Sequence, residues 1–183
     1  MSDLSNPNPV IYSVEDDGNL FNQQERFTED EDTVDDFDVY EIFDLVRDIT
    51  DPEHPLSLEQ LNVVRHENIK IEKDNNFIRL YFTPTVPHCS MANIIGLSIK
   101  EKLARSLPQR FKVDVKVTPG SHSSESSGMS NNKVDTFFIL IIIHSFIHCK
   151  FIVNKQLGDK ERVSAALDSN SPILSVVNEC IKI

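Results

Sequence analysis

The spacing of apolar residues predicts a helix where the folded part of the chain begins, near Val39. Apolar side chains stand at positions 42, 43, 46 and 49, which lie on one face of an α-helix. The helix is expected to end at Thr50-Asp51-Pro52, because the residue before a proline is pushed out of the helical conformation. The folded part therefore opens with an amphipathic helix.

Four further segments predict a small sheet and a second helix. Residues 62–71 and 76–83 read as strands, joined by the hairpin-type turn Lys73-Asp74-Asn75. Residues 90–106 carry apolar side chains at four-residue spacing and are predicted to be helical, with Pro108 ending the helix. Residues 111–117 alternate strictly between apolar and polar, which is typical of a half-buried strand.

The C-terminal part predicts two more helices, Val153–Leu167 and Ile173–Ile181, separated by Asn170-Ser171-Pro172. Cys180 stands on the apolar stripe of the last helix, so we expect it in the core. The order of elements indicates the α+β class: a small two-layer domain, with a mixed sheet of about three strands and helices packed on one face.

Charge divides the chain into two parts. Residues 1–39 contain twelve acidic residues and one basic residue, which accounts for the net charge of −11 of the whole chain. An acidic segment with few apolar residues cannot offset its ordering entropy, so residues 1–38 are predicted to be a disordered acidic tail and 39–183 a folded domain. Neither part has the basic surface that phosphate requires, and we expect no direct nucleic-acid binding.

The cysteine count and the N-terminus suggest a reducing compartment. Three cysteines with no CxxC pair do not form a disulfide framework. The N-terminus is polar and carries no secretory or transit pattern, so a cytoplasmic location is expected.

Cys89 is the best candidate for chemistry, since nucleotide-binding and common hydrolase motifs are absent from the sequence. It follows two prolines and stands at the predicted N-terminus of the 90–106 helix, where free N–H groups favour a thiolate. His88 could add a positive charge. The alternatives are a buried structural cysteine, a redox sensor, or a thiol enzyme with His88 or His122 as base.

Several segments together resemble the cytosolic iron–sulfur assembly component 2B family, also called the mitotic-spindle-associated MMXD subunit family, which is related to the bacterial PaaD and SufT proteins. The similarity covers 40–127 and 153–181 and is carried by Asp51-Pro52-Glu53-His54-Pro55-Leu56, by Phe82-Thr83-Pro84-Thr85-Val86-Pro87-His88-Cys89-Ser90-Met91-Ala92, by Ser106-Leu107-Pro108-Gln109-Arg110-Phe111-Lys112 and by Val153-Asn154-Lys155-Gln156-Leu157.

The resemblance implies an adaptor rather than an enzyme. Family members join a β-propeller scaffold subunit and a HEAT-repeat adaptor in a targeting complex that delivers [4Fe–4S] clusters to cytosolic and nuclear apoproteins. It also implies that no cofactor is tightly bound, that an iron–sulfur cluster binds at most transiently, that the protein does not bind a membrane, and that it can form a homodimer. The family's reactive thiol maps onto Cys89, which is also the possible metal ligand, and supporting or partner-binding positions map onto His88, Asp51, Glu53, His122 and Glu125.

Residues 128–152 depart from the family pattern as an insertion of 25 residues. The apolar run 137–152 is proline-free and β-branched, so it is predicted to be an aggregation-prone strand. It is too short and too polar for a membrane span, and His144, His148 and Cys149 have no further ligand beside them that would favour a metal site.

A translated retained intron is our hypothesis for this insertion. The pyrimidine-rich codons of Phe, Ile, Leu and Ser suit a splice acceptor, and removal of 128–152 would join Ser127 to Val153 and restore the family's loop length. In that case this product would be a poorly functional isoform of the adaptor.

Overall fold

The computed structural model describes residues 9–12, 37–85, 89–119 and 136–181, with the side chains of Cys89 and of residues 136–146 left out. Most of the predicted acidic tail therefore lies outside the described residues. Two parts of it contact the domain: the N–H of Tyr12 donates to the carbonyl of Gln60 at 2.8 Å, and the ring of Phe37 meets that of Phe111 edge-on, with 5.3 Å between centroids.

Helix α1 spans Val39–Arg47. It begins there because Asp38 and Glu41 form a reciprocal capping box: the Asp38 carboxylate accepts from the N–H of Glu41 at 2.8 Å, and the Glu41 carboxylate accepts from the N–H of Asp38 at 2.9 Å. Its buried face holds Ile42, Phe43 and Val46. The predicted amphipathic helix is confirmed.

The sheet has three strands in the order β1-β2-β3, namely Ile69–Glu72, Phe77–Phe82 and Lys112–Val117. β1 pairs antiparallel with β2, and β2 pairs parallel with β3, so the sheet is mixed. Every second residue of β2 is buried, and the residues paired with these lie on the same apolar face, which the helices cover. The predicted α+β fold is confirmed.

The prediction of a long strand over 62–71 is wrong in its first half, because only Ile69–Glu72 pair with β2. Asn62 has a φ of 56°, the left-handed region that ends regular strand geometry, and His66–Asn68 form a 3₁₀ turn. Val63 and Val64 are buried all the same. They fill the core from a loop, and that is why the run resembles a strand in sequence.

Helix α2 spans Cys89–Ser106 and crosses back over the sheet to connect the parallel strands β2 and β3. Ala92, Ile95, Leu97, Ile99 and Leu103 are buried in the core. Because the connection from Phe82 is short, the first turn of α2 lies at the edge of the sheet where β2 and β3 end.

Helix α3 spans Thr136–Gly158, and the prediction of a strand over 137–152 is therefore wrong. β-Branched and aromatic residues favour strands only weakly, and tertiary packing overrides the preference. Here Cys149, Val153 and Leu157 recur every four residues on one helical face and are all buried. Within the part of the chain that the structure describes, no helix is long and apolar enough to cross a membrane.

The predicted helix Val153–Leu167 is divided in the structure at Gly158. Helix α4 spans Lys160–Ala166, and the carboxylate of Asp159 caps it by accepting from the N–H groups of Glu161 and Arg162 at 3.1 and 3.2 Å. Helix α5 spans Pro172–Ile181 and buries Val177, Cys180 and Ile181. Cys180 is thus in the core, as predicted.

Helices α2 and α3 approach each other closely at Gly96. A Cβ atom at this position would lie 2.4 Å from Cδ1 of Leu157, whose side chain is itself buried. Nearby, the amine of Lys100 donates to the carbonyl of Leu157 at 2.6 Å, and burial lowers the pKa of this amine. Asn154 accepts from the N–H of Val117 at 2.8 Å and so joins α3 to β3.

We expect Gly96→Ala to destabilise the domain by about 1–3 kcal/mol, because Leu157 must leave its place in a packed core. Gly158→Ala is the matched control: a Cβ there meets nothing within 4 Å, so the change should be neutral or stabilising by up to about 1 kcal/mol. Urea unfolding followed by circular dichroism measures both. Equal effects of the two substitutions would contradict the proposed role of the contact.

Candidate functional site

Cys89 is the first residue of α2, one residue earlier than the predicted helix start. In the first turn of a helix the backbone N–H groups have no intrahelical acceptor, and the helix dipole adds partial positive charge. A thiol in this turn ionises more readily than a free cysteine. Because the side chain of Cys89 is not among the described ones, its predicted role as a reactive thiol stays a prediction.

The residues that directly follow β2 are anchored to the neighbouring chain segments. The N–H of Thr83 donates to the carbonyl of Val63 at 2.8 Å, and the N–H of Thr118 donates to the carbonyl of Phe82 at 2.8 Å. The hydroxyl groups of Thr83 and Thr118 are 3.1 Å apart, and Pro84 is buried. The chain thus leaves β2 from a rigid edge only a few residues before the cysteine.

Asp51 is a buried turn residue, with 4% of its surface exposed. Its Oδ1 accepts from the N–H groups of Glu53 and His54 at 2.8 and 3.0 Å, and its own N–H donates to the carbonyl of Leu56 at 2.9 Å. The carboxylate therefore holds the 51–56 turn together. Glu53 is exposed on the outside of the same turn and is free to contact a partner.

The structure places Asp51 beside Cys180, away from Cys89. The N–H of Thr50 donates to the carbonyl of Cys180 at 2.8 Å. The Asp51 charge contributes to a raised pKa at the Cys180 thiol, and the Ser98 hydroxyl of α2 lies next to that thiol. Nine residues separate Ser98 from Cys89, which is about 13 Å along the helix and half a turn around it. These two predicted site residues are therefore not brought together.

The other two cysteines are buried. Cys149 is 4% and Cys180 5% exposed. Burial is the main cause that raises the pKa of the Cys180 thiol. The nearby Ser98 hydroxyl lowers this pKa, although the pair does not meet conventional hydrogen-bond geometry. The negative charges of Asp51 and Glu179 raise it further. Cys180 consequently stays protonated, and its role is to pack.

Three of the predicted site residues, His88, His122 and Glu125, lie outside the described residues, so their predicted roles stay predictions. Among the described residues, no group of three or more histidine, cysteine or acidic side chains could hold a metal ion. A metal ligand set built by this chain alone is thus not seen in the described part, and the possible role of Cys89 as a ligand also stays a prediction.

Asn93 is a residue that sequence reasoning missed. It follows Cys89 by four residues and so shares its face of α2. Its Oδ1 is buried and has no hydrogen-bond partner in the structure. A cavity of about 150 Å³ lies beside it, with Gln156 of α3 and Arg162 of α4 in the opposite wall. The i+4 spacing from Cys89 was the one signal available in the sequence.

The chain belongs to a family of iron–sulfur cluster assembly proteins. The model of the family described as "Iron-sulfur cluster assembly protein" matches residues 40–117, from α1 to the end of β3. This range contains the 51–56 turn, Cys89 and Asn93.

Similar proteins carry a more particular name. The chain is 63% identical to "Cytosolic iron-sulfur assembly component 2B" of Dictyostelium discoideum, over 100% of this chain and 99% of that protein. It is 47% identical to the mouse protein of the same name, over 97% of this chain and 91% of that protein. It is also 41% identical to "Protein AE7" of Arabidopsis thaliana, over 99% and 97% of the two chains. The predicted family is confirmed.

We expect one fast-reacting thiol in the native chain. Maleimide at about pH 7.5 should modify Cys89 first, because a thiolate is the reactive form and the other two cysteines are buried. Intact-mass spectrometry should show one adduct in the native protein, three after unfolding, and none in native Cys89→Ala. Equally rapid labelling of Cys180 would contradict this assignment.

Asp51→Ala should cost about 1–3 kcal/mol of unfolding free energy, because two backbone N–H groups lose their buried acceptor. Asp51→Asn retains one amide oxygen and should cost less. Glu53→Ala, on the exposed side of the same turn, should change stability by no more than about 0.5 kcal/mol. Thermal unfolding measures all three, and an Asp51→Ala variant as stable as Glu53→Ala would show that the carboxylate does not support the turn.

Proposed function

We propose that the chain is the adaptor subunit of a cytosolic iron–sulfur targeting complex, which helps deliver [4Fe–4S] clusters to cytosolic and nuclear apoproteins. The family match over residues 40–117 carries this proposal. It is supported by near full-length similarity to proteins named as components of cytosolic iron–sulfur assembly. A component acts within an assembly, so the role is binding and transfer rather than turnover of a substrate.

Cys89 is the residue assigned to the cluster in this proposal. The cluster is cargo and is not held by the free chain. During transfer, the Cys89 thiol loses its proton to water, and the thiolate replaces one ligand of a cluster iron until the client's cysteine replaces it in turn. The helix N-terminus supports the charge of the thiolate. No change in oxidation state is needed for this exchange.

The proposed partners are a β-propeller scaffold subunit, a HEAT-repeat adaptor and iron–sulfur apoproteins. The exposed Glu53, on a turn that Asp51 holds rigid, is a contact point for one of them. His88, His122 and Glu125 are proposed to support the cysteine or the partner contacts. We place the protein in the cytoplasm and the nucleus.

A reconstituted transfer assay tests the proposal. The full chain is combined with the purified propeller and HEAT-repeat subunits, a cluster donor and a client apoprotein, and client loading is followed by absorbance and iron content. Cys89→Ala should bind both subunits as wild type does, while client loading falls by about tenfold or more, since loss of a metal-contacting group typically costs this much.

Cys180→Ser is the matched control, because it removes a thiol that the structure assigns to packing. Its loading should equal that of wild type wherever the variant is folded by circular dichroism. Unchanged loading by Cys89→Ala would refute the role of the cysteine. Failure of the wild-type chain to bind either subunit would refute the adaptor role itself.

A further inference from the structure

Helices α2, α3 and α4 border a small cavity that has an unpaired amide oxygen beside it. The cavity measures about 150 Å³ and is lined by Asn93, Leu97, Gln156, Arg162, Val163 and Ala166. The Oδ1 atom of Asn93 is buried and accepts no hydrogen bond from the part of the chain that the structure describes. A buried amide oxygen without a donor is costly, so this atom indicates a ligand that supplies the donor.

The lining of this cavity favours a peptide as the ligand. Asn93 and Gln156 stand in opposite walls, and each side-chain amide carries both an acceptor and donors. The group that complements an acceptor and a donor at once is another amide, such as the peptide unit of a backbone. An apolar molecule would leave the Asn93 oxygen without a donor.

Charge disfavours a free anion in the same place. Arg162 is the one charged residue among those that line the cavity. Its side chain is 63% exposed, and its Nε already pairs with Oδ2 of Asp159 at 3.4 Å, so this cation is partly neutralised and screened by water. The volume suits one medium-sized side chain of a peptide, since a cavity of about 150 Å³ holds a benzene ring.

The cavity lies one helical turn from Cys89. Asn93 follows Cys89 by four residues in α2, which is about 6 Å along the axis and on the same face of the helix. A peptide bound at Asn93 would therefore have its neighbouring residues within reach of the first turn of α2. Under the proposed function, a cluster passes to a cysteine of the client at that turn.

We propose that Asn93 and Gln156 bind the backbone of an extended client segment, so that the client's cluster-ligating cysteine lies near Cys89. This inference rests on the proposed function and names the kind of partner that its site takes. Metal binding provides folding free energy to the segment that ligates the metal, so an apoprotein without its cluster presents such a segment with backbone N–H and C=O groups still unpaired. Recognition through the backbone does not depend on the client's side chains and therefore suits several clients.

Binding of a client peptide by the full chain tests the proposal. The probe is a short fluorescent peptide from the client apoprotein of the transfer assay, spanning one cluster-ligating cysteine that is replaced by serine, and fluorescence anisotropy measures its affinity. Asn93→Leu should raise the dissociation constant about tenfold or more, because a peptide N–H would be buried without an acceptor. Methylation of the peptide N–H groups, one at a time, should give the same loss at one position in wild type and no further loss there in Asn93→Leu.

Asn178→Ala is the matched control. Asn178 is exposed and accepts at 3.0 Å from Arg105, a residue about 18 Å along α2 from Asn93, so the variant should bind the peptide as wild type does. Ala166→Leu fills the cavity from α4 without changing an amide, and it should weaken binding as Asn93→Leu does. Circular dichroism should show all three variants folded, and Asn93→Leu should melt no lower than wild type, because it removes an unpaired buried oxygen.

The outcomes separate this proposal from the proposed function. The anisotropy experiment contains no cluster and no partner subunit, so its result does not depend on whether Cys89 takes part in transfer. In the transfer assay, Asn93→Leu should raise the client concentration for half-maximal loading about tenfold, as expected when a binding contact is lost. A wild type that does not bind the peptide, or binding that neither Asn93→Leu nor Ala166→Leu weakens, overturns the proposal and assigns the Asn93 oxygen to water or to another part of this chain.

Discussion

Helix α2 can lie against α3 only because position 96 has no side chain, and the arrangement of the whole domain depends on that contact. Leu157 fills the space where a Cβ would stand. Because α3 comes this close, the amine of Lys100 reaches the carbonyl of Leu157 near the end of α3, and Asn154 reaches the end of β3. The absence of a side chain at position 96 therefore allows the contacts that fix α2, α3 and the sheet relative to one another.

The same helix also separates two of the cysteines. Cys89 is the first residue of α2. Half a turn around and about 13 Å along the axis, Ser98 and the 50–51 segment enclose Cys180, whose burial keeps it protonated. The core side of α2 thus closes over a buried, protonated thiol, while the reactive role of the cysteine at its first residue stays a prediction.

Periodicity predicted the regular parts of the fold well. α2, β2 and β3 each bury one face, and a buried face imposes a repeat that can be read from residue types. The segment 62–68 was misread because Val63 and Val64 are buried from a loop, where burial imposes no repeat. The prediction for residues 137–152 is wrong because β-branched and aromatic residues fit a strand and a helix alike. The contacts of Cys149 and Val153 with the rest of the domain decide for the helix, and the sequence does not show those contacts.

The site was predictable in part. The helix start near Cys89 follows from the prolines before it and the apolar repeat after it, whereas the role of the cysteine rests on the family resemblance and stays a prediction. The separation of Asp51 from Cys89 could not be predicted, since it depends on how the 50–56 turn docks against the end of α5. Asn93 was missed for a similar reason: an unsatisfied amide is recognised only once the helices around it are in place.

The bond from Asn154 to Val117 has a further consequence for the outer side of the sheet. β3 is a border strand, and its unpaired backbone groups would otherwise accept a strand from another molecule. The side chain of Asn154 accepts a hydrogen bond from the N–H of Val117 at the carboxyl end of β3, and α3 lies in front of this N–H group. Growth of the sheet into a larger aggregate is thereby blocked at the carboxyl end of β3.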